Sequence, residues 1–88
     1  MPDYLTLVFT SEFMESLERL SSADRRRVRH ALGLLDSNEQ HPSLNIHQLE
    51  GKGVGTWTAY ASRSLRVTFE RLVGGRKRLI EASQHYGD

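Results

Sequence analysis

The stretch Leu65-Arg66-Val67-Thr68-Phe69-Glu70 alternates apolar and polar side chains without a break. Successive side chains on a strand point to opposite faces. The pattern therefore specifies a strand with one face in a core and the other in solvent. The chain must then build a sheet covered on one side only, with something apolar to cover it.

Its neighbours continue the sheet. A strand is predicted at Trp57–Ser62, with Trp57, Ala59 and Ala61 on one face, followed by a turn at Arg63-Ser64 and the alternating strand over Leu65–Leu72. Gly74-Gly75 predicts a hairpin turn into a last strand over Arg78–Gln84. Tyr4-Leu5-Thr6-Leu7-Val8-Phe9, rich in β-branched and aromatic residues, predicts a first strand.

Helices supply the cover. Thr10 or Ser11 can cap a helix in which Phe13, Leu17 and Leu20 recur at helical spacing, with Glu12 and Glu15 near its positive end. Ser21-Ser22 breaks it and can cap a second helix, with Val28, Ala31, Leu32 and Leu35 as the apolar stripe. That helix should fade at Asp36-Ser37-Asn38. Residues 37–55 read as irregular, with Pro42, Gly51, Gly53 and Gly55 as breakers and Leu44, Ile46 and Leu49 expected to pin the segment to the core. The predicted order is βααβββ: a helical hairpin packed on a twisted, mainly antiparallel sheet, an α+β fold.

With 88 residues there is room for one domain, expected to span residues 1–88. Cysteine is absent, which excludes disulfides and thiolate metal sites. No signal peptide, transit peptide or membrane-spanning run is evident, and a cytoplasmic address is the expectation. The net charge of +1 conceals an asymmetry. Residues 1–50 hold five arginines against eight acids, a balance of −3, whereas residues 51–88 hold seven Lys/Arg against three acids, a balance of +4. Such a basic half is either a solvated sheet face with protected edges or a polyanion-binding face.

The basic half also carries the chemistry-bearing residues Arg66, His85 and Tyr86. Histidine is the side chain whose unperturbed titration falls near neutrality. Histidine, tyrosine and arginine converging on one sheet face would suit phosphoryl chemistry on RNA. The four histidines lack metal-ligand spacing such as His-Glu-x-x-His, so no metal and no other cofactor is expected.

The element order and local motifs together resemble the RelE/ParE superfamily of toxins from bacterial toxin–antitoxin pairs. The likeness is carried by the helical hairpin after the first strand and by Leu49 followed by a Gly-containing turn and Trp57. It is carried further by the Arg66-Val67-Thr68-Phe69 strand and by the terminal His85-Tyr86. It covers essentially the whole chain and is nearest to the YoeB/Txe branch, with a RelE-like, microbial RNase-like fold.

That resemblance implies a ribosome-dependent mRNA endonuclease, an mRNA interferase that blocks translation by metal-independent acid/base catalysis. It also implies partners: a cognate antitoxin, the ribosome and mRNA, and no membrane. A homodimer and a toxin–antitoxin hetero-oligomer are both compatible with it. His85 matches the terminal histidine and would act as acid or base. Arg66 matches the family's catalytic arginine and would hold phosphate charge as it grows. Tyr86 would orient the phosphate or stack on a base. Counting back from Trp57 places His47 where a YoeB-like toxin has a glutamate proposed as general base, with Glu50 as the substitute if the loop alignment slips. Lys52 and Arg63 would contact phosphates.

Other readings stay open on the residues alone. Arg66 could equally form a cross-strand ion pair with Glu70 or Glu81. His85 could be a surface histidine at a fraying end. Arg76, Lys77 and Arg78 fit a solvated turn as well as an rRNA contact. The same fold in ParE-type toxins serves non-enzymatic inhibition of DNA gyrase. A binding module that has lost catalysis is the third alternative.

Overall fold

The structure, a computed structural model, describes residues 4–49 and 55–84. In chain order the elements are β1 (Leu7–Val8), α1 (Ser11–Glu18), α2 (Ser22–Ser37), β2 (His47–Gln48), β3 (Thr56–Tyr60), β4 (Leu65–Arg71) and β5 (Lys77–Gln84). The strands form one sheet in the order β1-β5-β4-β3-β2. β1 runs parallel to β5 and every other neighbouring pair is antiparallel. Two helices on a mixed sheet make the α+β fold that the sequence predicts.

The helices begin where their capping residues stand. The Thr10 hydroxyl accepts from the Phe13 amide at 3.0 Å, and the Ser21 hydroxyl from the Asp24 amide at 3.1 Å. Phe13 and Leu17 of α1 and Val28, Ala31, Leu32 and Leu35 of α2 bury one stripe each against Ala59, Leu65, Val67, Phe69, Leu79 and Ala82 of the sheet. All the helical cover lies on that face. Leu79 and Ala82 are an odd number of residues apart, which strict alternation would send to opposite faces. A bulge resolves this: Thr68 pairs with Glu81 but Phe69 pairs with Leu79, leaving Ile80 as the extra residue.

Three details differ from the sequence reading. β1 is confined to Leu7–Val8 because the amides of Leu5 and Thr6 donate to the Asp36 carboxylate, at 3.0 and 2.7 Å, rather than to a neighbouring strand. The stretch expected to be irregular contains β2, whose His47 and Gln48 pair with Thr58 and Trp57. The order is therefore βααββββ rather than βααβββ. Leu44 is fully buried and Ile46 packs on the core, but Leu49 does not pin the segment to it. Its amide bonds the Thr56 carbonyl at 2.9 Å, and its side chain borders a depression with Thr56 and Thr68, which face away from the helices. The hairpin turn stands at Gly74-Gly75 as the sequence predicts: a 3₁₀ turn at Val73–Gly75 joins β4 to β5, and Gly74 and Gly75 both take positive φ, +80° and +77°. A side chain there would be strained, which explains the glycine pair.

Candidate functional site

The sheet face opposite the helices carries a row of three side chains. His47 on β2 lies opposite Thr58 and turns its ring to Tyr60 on β3, with ring centroids 5.9 Å apart. Tyr60 lies directly opposite Arg66 on β4, and Arg66 in turn lies opposite Ser83 on β5. The Arg66 guanidinium carbon sits 4.6 Å from the centre of the Tyr60 ring, a cation–π contact.

Arg66 settles one of the open readings. Glu70 bonds Arg78 at 2.9 Å, and Arg66 enters no ion pair among the described residues. Its Nε is buried and has no hydrogen-bond partner there. A guanidinium is a planar fork of N–H donors and is always charged. Held against an aromatic face, such a fork suits a planar or tetrahedral oxyanion.

His47 is oriented by its own backbone. Its Nδ1 lies 3.0 Å from the Asn45 carbonyl oxygen. A carbonyl oxygen only accepts, so Nδ1 carries a proton, and in the neutral ring Nε2 is the acceptor. Asn45 supplies that carbonyl from a left-handed conformation, φ +43°, which asparagine tolerates better than most residues. Beside the row, Leu49, Thr56, Thr68, Glu70, Ile80 and Glu81 line an open depression of about 250 Å³.

The other expected site residues fall in several places. Arg63 is exposed in the β3–β4 turn, at the end of those strands that carries Tyr60 and Arg66. His85, Tyr86, Lys52 and Glu50 lie outside the described residues. β5 ends at Gln84, opposite Leu65. Lys77 is a structural residue: it is buried, its ammonium donates to the Thr6 hydroxyl at 3.0 Å, and it pairs with Glu39 at 3.4 Å. Arg78 is held by Glu70. His41 accepts from the Ser43 amide at 3.2 Å and caps the 3₁₀ turn at Pro42–Leu44. Among the described residues, no three His, Cys, Asp or Glu side chains cluster as metal ligands would.

Tyr60 is the residue that sequence reasoning missed. The signal was present: the alternation that sends Trp57, Ala59 and Ala61 inward sends Tyr60 outward, an aromatic on a polar face. Only the strand register shows that it meets Arg66.

No protein-family model and no curated protein matches the sequence. Solved structures do. A chain of the DinJ–YafQ toxin–antitoxin complex of E. coli superposes with a TM-score of 0.73 at 13% identity, over 90% of each chain. A chain of the archaeal RelE–RelB complex from Pyrococcus horikoshii gives 0.72 at 15% identity, over 98% of this chain and 100% of that one. The YoeB/ParE toxin from Agrobacterium tumefaciens gives 0.67 at 22% identity, over 93% and 100%. The chain has the RelE/ParE toxin fold. Within that fold, the His47–Tyr60–Arg66 row stands on the sheet face opposite the two helices.

Proposed function

We propose that the protein is the toxin of a toxin–antitoxin pair and acts as a ribosome-dependent endoribonuclease. The observation that carries this reading is the row itself: an arginine stacked on an aromatic ring, with no ion pair among the described residues, and a histidine oriented by a backbone carbonyl, on the sheet face opposite the helices of a RelE/ParE toxin fold.

The chemistry is internal transfer. Nε2 of His47 takes the proton from the 2′-OH of the nucleotide before the cut. The 2′-oxygen bonds to phosphorus, the bond from phosphorus to the 5′-oxygen breaks, and a 2′,3′-cyclic phosphate remains. His85, one residue beyond Gln84 in the chain, protonates the leaving 5′-oxygen. Arg66 binds the phosphoryl oxygens and gains strength as their charge grows. Tyr86, Lys52 and Arg63 help hold the RNA, and the ribosome presents the mRNA in its A site. The product is the cyclic phosphate or its hydrolysis product, and the outcome is a block to translation in the cytoplasm.

A cognate antitoxin is the second partner. Exposed Phe9 and Met14, at the start of the helical hairpin, offer apolar surface for a segment that folds on binding. No helix among the described residues is long and apolar enough to cross a membrane.

The test is cleavage of mRNA on programmed ribosomes, with Arg66→Ala, His47→Ala and His85→Ala beside the wild type. A-site cleavage lost in the folded variants is the expected result. A folded wild type that cuts nothing sinks the enzyme reading and directs the next assay to gyrase supercoiling.

A further inference from the structure

Arg66 needs more than a place on the sheet to act on a phosphate. An arginine side chain is long and rotamer-rich, and a fork that swings gains little over a point charge. Among the described residues, a ring contact bears on the guanidinium plane. Tyr60, opposite Arg66 on β3, lies under the guanidinium at 4.6 Å. The same ring meets His47 at 5.9 Å, with a 56° tilt between the two rings. One tyrosine therefore touches both groups to which the proposed reaction gives opposite tasks, proton removal and charge stabilisation.

The ring does this, not the hydroxyl. The Tyr60 hydroxyl makes no hydrogen bond among the described residues. The ring is half-buried, outside the core cluster formed by the helices and the inner sheet face.

We propose that Tyr60 is a positioning residue: its ring holds the Arg66 guanidinium plane in a fixed orientation on the sheet face opposite the helices, and sets the His47 ring beside it. The inference rests on the endoribonuclease reading, but its geometry can be tested without cleavage.

Three variants are compared: Tyr60→Phe, Tyr60→Leu and Tyr60→Gln, the last covering the case in which Tyr60→Leu does not fold. The first readout is the Arg66 Nε–H resonance, which the ring current of Tyr60 shifts in the wild type. The second is affinity for adenosine 3′-monophosphate. The third is kcat and KM on programmed ribosomes. Tyr60→Phe should retain the Nε–H shift and stay within about twofold of wild type, because the cation–π contact needs only the ring. Tyr60→Leu or Tyr60→Gln should lose the shift, weaken nucleotide binding and lower kcat by about 2- to 30-fold, with KM on ribosomes little changed.

Two results overturn the proposal. One is a Tyr60→Phe variant as damaged as Tyr60→Leu, which would make the hydroxyl the operative group. The other is a Tyr60→Leu variant with unchanged Nε–H shift and nucleotide affinity. If the wild type cuts nothing on ribosomes, the endoribonuclease reading falls, while the resonance and nucleotide arms still decide the role of Tyr60.

Discussion

A buried donor left without an acceptor costs about 1–3 kcal/mol, and Nε of Arg66 is such a donor. Its contact with Tyr60 returns only about 0.5–1 kcal/mol at a part-exposed site. For stability alone, an apolar side chain of similar length would serve at least as well. Arg66→Met should therefore melt at or above the wild-type temperature while ribosomal cleavage falls about 10²-fold or more. Thermal melts and cleavage assays on the same preparations check both halves, and a strongly destabilised variant would mean that Arg66 is a structural residue. Arg66→Lys should not rescue activity, because a lysine offers a point charge in place of a fork. His47→Gln tests the other end of the row. It removes the imidazole, and cleavage should fall about 10²- to 10⁴-fold with folding intact.

β5 is longer than its partner β1, which pairs only with Lys77 and Arg78. Beyond them, α1 takes over the edge. The Thr10 hydroxyl donates to the Leu79 carbonyl at 2.7 Å. The Ser16 hydroxyl accepts from the Ala82 amide at 2.9 Å and donates to the Phe13 carbonyl at 2.7 Å. The last of these positions is buried, so Ser16→Ala strands an amide and should cost about 1–3 kcal/mol. For a chain of this size that is roughly 4–8 °C in Tm per kcal/mol, read by a thermal melt. A Tm within 1–2 °C of wild type, on the order of the error of such a melt, would show that water replaces the hydroxyl. Nothing in the sequence marks Ser16, which reads there as a polar residue on a helix. The alternation of β4, the caps Thr10 and Ser21 and the stripe of α2 were legible because each is a local period or a local hydrogen bond. β2, the bulge at Ile80 and the outward turn of Leu49 were not, since distant strands decide them. The site divides in the same way: Arg66 and His47 are visible as residues, but their meeting through Tyr60 is a matter of register.

Across the whole molecule, β4 connects two polar ends. Arg66 marks one and Arg71 the other, about 17 Å apart at roughly 3.4 Å per residue. At the Arg71 end, Glu39 bonds Arg71 at 2.8 Å and pairs with buried Lys77 at 3.4 Å, while Lys77 and Asp36 both bond Thr6. This knot ties α2, the approach to β1, β4 and β5 together. The Arg71 hydrogen bond outweighs burial and, with the charges of Arg71 and Lys77, holds the Glu39 carboxyl below the usual carboxylate range. Burial pushes the Asp36 carboxyl up, but the Thr6 hydroxyl, the Leu5 and Thr6 amides and the Lys77 charge outweigh it, so this carboxyl also sits low. Above the unfolded-state values of about 4, both groups are ionised in either state and their stabilisation is complete. As pH falls through about 4, the unfolded chain takes up protons first and stability declines, until the folded carboxylates protonate as well. Melting temperature should therefore hold from about pH 7 to 5 and fall below about 4. Asp36→Asn with Glu39→Gln should lower Tm at neutral pH and flatten the acid limb, so that the two curves converge in acid. An acid limb of unchanged depth in the double variant would remove these carboxylates as its cause. Ribosomal cleavage at neutral pH should survive the double substitution at temperatures below its melt, because the knot holds the end of β4 that the site does not use.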